Sequence, residues 1–187
     1  MGEKPMKING KINKFYYYAF PMQAVLVTCN DEKEKTNVIT IAWHTPISKD
    51  PPLYGISVAH SRYSFNLIEK TKEFVINFVP YEKAHIADFC GKNSGIDTDK
   101  IKEMDLTLIS SQKLKTPIIK ECFSHLECKL YESWAIGDHT MFIGEVINVL
   151  VDNNAFVDDL LDNEKIKPTF YIGENVFTTV DKSKKKF

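Results

Sequence analysis

Ala24-Val25-Leu26-Val27-Thr28 and Asn37-Val38-Ile39-Thr40-Ile41-Ala42-Trp43 flank a polar stretch, Asn30 to Lys35. Both runs are rich in β-branched residues, which suit a pleated, packed surface. Two such runs around a short polar loop read as a β-hairpin. Asp50-Pro51-Pro52 then breaks the chain, because proline has no N–H for a ladder. Tyr54 to Ala59 reads as a third strand and Phe74 to Val79 as a fourth. Further strands are expected over Leu106–Ser110, Ser124–Trp134 and, after the turn at Gly137-Asp138, Thr140–Val151. Phe170 to Val180 holds a last pair.

Helical pattern is confined to short pieces: Ser61–Lys70 with Ser61 as N-cap, Glu82–Phe89, a turn at Lys100–Met104 and a short helix at Phe156–Leu161. Many strands with a few short helices, not in regular alternation, argue against a doubly wound parallel sheet. They fit a mainly β, mostly antiparallel barrel with inserted helices. The chain of 187 residues reads as one domain over 1–187, with an N-terminal arm at 1–19 and a basic tail at 181–187.

The formal net charge of -1 gives no global field to draw the chain onto nucleic acid or acidic lipid. No apolar run approaches the ~20 residues of a membrane span. Nothing at the N-terminus reads as a signal peptide. The four cysteines, Cys29, Cys90, Cys122 and Cys128, form no CxxC pair. These features describe a cytoplasmic protein with reduced thiols.

The segments that can carry chemistry each have a plainer reading. Thr45-Pro46-Ile47-Ser48 is expected to be irregular backbone, with free N–H and C=O groups that suit a planar, hydrogen-bonding ring; Trp43 and His44 stand just before it. A polar loop between strands explains it equally. His60-Ser61-Arg62-Tyr63-Ser64 sets two hydroxyls and an arginine at a helix N-terminus, an arrangement suited to a phosphate ester. A plain capped helix accounts for the same residues. Gly91-Lys92-Asn93-Ser94-Gly95 has a faint likeness to a phosphate loop but lacks the Walker A order and spacing. His139 follows Gly137-Asp138, where it can reach a ligand or simply face water. Cys122, His125 and Cys128 do not share one face of a strand, so no metal site is expected. No Gly-x-Gly-x-x-Gly is present to support a Rossmann domain.

In their order and spacing these pieces resemble a known family. They are Asn37–Trp43, Thr45–Leu53, Arg62–Ile68, Glu73–Asn77, Cys90–Gly95 with Asp99-Lys100, Glu121-Cys122 with Glu127-Cys128, and Gly137-Asp138-His139 with Gly144-Glu145-Val146. Over about residues 20 to 180 the chain resembles the flavin reductase-like proteins of the FMN-binding split barrel, and within them the flavoredoxin group. The resemblance implies a homodimeric split β-barrel of Greek-key type with its flavin near the subunit interface. It implies FMN as cofactor, FAD being the lesser alternative, with Trp43, His44, Thr45, Pro46 and Ser48 along the ring and Ser61, Arg62 and Ser64 at the phosphate. Asn37, Lys100 and His139 match flavin-proximal positions, with His139 in the catalytic role. Phe170 or Tyr171 closes the site. Two functions remain open: reduction of bound FMN by NADH or NADPH for onward transfer, or a non-enzymatic FMN electron carrier reduced by a redox protein.

Overall fold

The computed structural model describes residues 7–183. Residues 1–6 of the expected arm and 184–187 of the expected basic tail lie outside it. Seven strands form the main sheet: β1 (Val25–Asn30), β2 (Thr36–Ile41), β3 (His44–Lys49), β4 (Pro52–Ala59), β5 (Glu73–Phe78), β6 (Ser124–Ile136) and β7 (His139–Val151). Their order is β2-β1-β5-β6-β7-β4-β3, and every neighbour pair is antiparallel. The two edges, β2 and β3, are joined by only Ala42 and Trp43. So short a link forces the sheet to curl until its edges meet, which makes a split barrel with its seam at that corner.

Burial explains the sequence pattern. Every residue of β1 is buried, so its apolar run does not alternate. Val25, Val27 and Cys29 face the barrel interior with Phe74 and Phe142. Leu26 faces the other way, toward helix α2 (Ala84–Lys92), which buries Ile86, Ala87 and Cys90 in a second apolar cluster. Helix α1 (Tyr63–Thr71) buries Leu67 and Ile68 against the first cluster and ends at Lys72 in the left-handed conformation (φ 59°). Helix α3 (Lys100–Glu103) is one turn capped by Asp99. A hairpin, β8 (Phe170–Gly173) with β9 (Val176–Thr178), pairs with Met22-Gln23. A 3-10 segment, Ile12–Ala19, lies in the expected arm.

The structure corrects five local expectations. Residues 44–49 form an edge strand, and the irregularity shrinks to a bulge between Pro46 and Ser48 that leaves Ile47 unpaired. The cap of α1 is Arg62 and makes no side-chain capping bond, so Ser61 is not the N-cap. Helix α2 runs on through Lys92 into the expected glycine loop. The strand expected over Leu106–Ser110 is only Leu108–Ile109. The segment 156–161 is a tight two-strand ladder, turning on Asp158 and Asp159 at positive φ (49° and 62°), and not a helix.

Candidate functional site

The anion-binding candidates converge. Asn37 and Ile39 of β2, Ser61 and Arg62 ahead of α1, Ser64 in its first turn, and Lys100 of α3 line one small cavity of about 60 Å³. Gly91, Ser94 and Gly95 close it, so the loop with the faint phosphate-loop likeness does arrive here. Asn37 Nδ2 donates to Ser64 Oγ at 2.7 Å. Gly95 must be glycine: a Cβ there would sit on Asn37 Oδ1.

Lys100 is the unusual group. Its side chain is buried, 5% exposed, yet its ammonium meets no carboxylate. Nζ donates to the carbonyls of Val38 (2.6 Å) and Cys90 (3.0 Å), leaving one of three N–H donors unspent. Burial pulls its pKa below the usual lysine value. The thiols beside it supply no counter-charge, since burial pushes Cys29 and Cys90 each up to about 11. Arg62 is the only arginine in the chain and has no ion pair among the described residues. Arg62 and Lys100 thus line one cavity with no acidic residue among its lining.

From Arg62 and Gly91 the cavity opens into a groove of about 420 Å³, walled by Thr40 and Ala42 at the end of β2, by α2, and by Tyr171 and Phe177. Lys92 lines it but is tied to Asp88 at 2.6 Å. Tyr171 packs on Phe177 and Phe20, with ring centroids 5.2 and 5.5 Å apart.

The remaining candidates lie around the seam. The Trp43 ring packs against His139 (centroids 5.0 Å) and Tyr16 (5.7 Å). His139 Nδ1 is 2.6 Å from Asp138 Oδ1, and that hydrogen bond holds the Asp138 carboxyl below its ordinary value. Thr45 and Pro46 are exposed on the edge strand and Ser48 is half-buried. His44 is placed differently from the expectation: its ring nitrogens are taken by Tyr54 and the Gln23 carbonyl. None of Trp43, His44, Thr45, Pro46, Ser48 or His139 lines the cavity or the groove.

The outer face of the β3-β4-β7-β6 half carries a group of exposed apolar residues, with Glu132, Lys129 and Glu145 further along it. A Cβ at Gly55 would meet Met141 and Ile47, Trp134 lies directly opposite Met141, and Ile136 opposite His139. Ile47, Trp134 and Ile136 are 45%, 51% and 62% exposed.

Residues 17–170 match the model of the flavin reductase like domain. The chain belongs to that family. A protein of Archaeoglobus fulgidus is 37% identical over 163 residues, 87% of this chain and 90% of its own. Among solved structures, the flavoredoxin of Methanosarcina acetivorans is 28% identical with a TM-score of 0.86, covering 97% of this chain and 95% of its own. The flavoredoxin of Desulfovibrio vulgaris is 25% identical with a TM-score of 0.83, covering 99% and 97%. Family membership accords with the mostly β split barrel. No described helix is long and apolar enough to cross a membrane. Asn37, Ser61, Arg62, Ser64 and Lys100, singled out in the sequence by helix position and resemblance, come together at one cavity. Sequence reasoning did not single out the closing role of Gly95, which depends on a contact with a residue far away in sequence.

Proposed function

We propose that the chain binds FMN and passes electrons through it. The observation that carries this reading is the buried Lys100 ammonium beside the unpaired Arg62, in a cavity sized for one phosphate group. A single compact anion site favours FMN over FAD. The phosphate sits among Asn37, Ser61, Arg62, Ser64 and Lys100, and the rest of the cofactor leaves past Arg62 toward Ala42, Trp43 and Tyr171. Bound flavin supplies hydride and single-electron chemistry, while the protein supplies position and field. His139 stands at the open face with Nδ1 engaged by Asp138 and Nε2 left for a ligand. Its imidazole contributes to the field where a donor docks.

The exposed apolar face of Ile47, Trp134 and Ile136 is covered by a second copy of the chain, which brings the Trp43 and His139 corner to a subunit interface. Contiguous exposed apolar surface of this kind marks an association site. The donor is NADH or NADPH, or in the carrier reading a redox protein. Mixing the FMN-loaded protein with each nicotinamide without oxygen separates the two. Rapid bleaching of the flavin absorbance supports a reductase. Bleaching only with a protein donor supports a carrier. A chain that cannot be loaded with flavin refutes both.

A further inference from the structure

His44 opens β3 one residue after Trp43. Its Nε2 lies 2.8 Å from the Gln23 carbonyl oxygen and its Nδ1 lies 2.7 Å from the Tyr54 hydroxyl. A carbonyl only accepts, so Nε2 carries the proton, and in the neutral ring Nδ1 accepts from Tyr54 O–H. Burial lowers the pKa of His44, which keeps the ring neutral at pH 7, with the Gln23 carbonyl pulling the other way. The ring is stacked on Tyr54 (centroids 5.7 Å, 24°) and edge-on to Phe78.

The partners of this ring belong to different elements, and one of them adjoins a wall of the groove. Tyr54 is on β4. Gln23 belongs to the two-residue strand that pairs with β8, with Gln23 opposite Phe170 and Met22 opposite Tyr171. One imidazole therefore ties the corner carrying Ala42 and Trp43 to the hairpin carrying Tyr171. The buried His125 bonds instead to Asn77 Oδ1 at 2.9 Å and to the Cys122 backbone, and lines neither the cavity nor the groove.

We propose that His44 is a positioning residue for the flavin ring: it does not touch the cofactor, but sets the separation of the Ala42 corner and the Tyr171 wall, both of which line the groove. The inference rests on the flavin reading above. It predicts that the Nε2–H bond to Gln23 is the essential one, because that bond joins the two walls.

The test compares wild type with His44→Ala, His44→Gln and Tyr54→Phe. The readouts are FMN and riboflavin affinity, the visible circular dichroism of bound flavin, and competition of inorganic phosphate with FMN. Loss of one hydrogen bond corresponds to about three- to tenfold in affinity. His44→Ala is expected to weaken FMN and riboflavin by the same factor in that range. It changes the flavin circular dichroism and leaves phosphate competition as in wild type. His44→Gln, whose amide nitrogen reaches the Nε2 position, restores both. Tyr54→Phe, which keeps the Gln23 bond, stays near wild type and covers the case in which His44→Ala does not fold. Unchanged affinity and dichroism in His44→Ala overturns the proposal, as does a loss confined to FMN or a failure of His44→Gln to restore. Flavin binding by wild type with unresponsive variants defeats the positioning role alone. Wild type that binds neither flavin defeats the flavin reading with it.

Discussion

Replacing Lys100 by methionine keeps most of the side-chain length and removes the buried ammonium. Nζ has two carbonyl partners, at 2.6 and 3.0 Å, and one free donor directed at a phosphate in this account. A hydrogen bond to a charged group is worth about 1.5–3 kcal/mol. At about 1.4 kcal/mol per tenfold, Lys100→Met weakens FMN by roughly ten- to 150-fold. Riboflavin, which lacks the phosphate, binds both proteins alike. The fold survives, because a buried cation without a carboxylate is costly to the unliganded protein and methionine removes that cost. The pH dependence has a definite sign. Burial lowers the Lys100 pKa below the usual 10.5, so as pH rises its charge is lost earlier than that of an ordinary lysine. Wild-type affinity for FMN therefore falls on the alkaline side before an ordinary lysine would titrate, and Lys100→Met lacks this fall. Fluorescence-quenching titrations of both flavins from neutral to alkaline pH measure all of this. Equal loss for FMN and riboflavin, or no loss for either, refutes the reasoning.

Gly95→Ala drives a Cβ onto Asn37 Oδ1 and breaks the Asn37–Ser64 bond, so FMN affinity falls while circular dichroism still reports a folded barrel. His139→Ala leaves the melting temperature and the bound FMN nearly unchanged, since its side-chain hydrogen bond is to an exposed aspartate; stopped-flow reduction or a potential titration shows a shift. Trp134→Glu places a charge among the exposed apolar residues, and sedimentation velocity is expected to register a dimer for wild type and a monomer for the variant.

The strands were legible where one rule dominates. β1 and β2 announce themselves by β-branched runs, and the Pro-Pro break separates β3 from β4. Residues 156–161 misled because Phe156-Val157 and Leu160-Leu161 have helical spacing, while the turn between them needs two aspartates at positive φ in place of the usual Asn-Gly signal. The strand at 44–49 was hidden by Pro46, which an edge strand tolerates at a bulge. The residues of the cavity were legible in part, Arg62 and Ser64 through their place at a helix start and Lys100 through resemblance. The burial of Lys100 was not legible, because it depends on carbonyls 62 and 10 residues away. The turn of His44 away from the groove was equally hidden, as its partners lie 10 and 21 residues distant.

The most direct test of the central claim is equilibrium binding of FMN and riboflavin to wild type and Arg62→Ala. The account predicts that wild type binds FMN much more tightly than riboflavin, and that Arg62→Ala removes most of that preference while leaving riboflavin affinity unchanged. Equal affinity of wild type for the two flavins, or binding of neither, would contradict it.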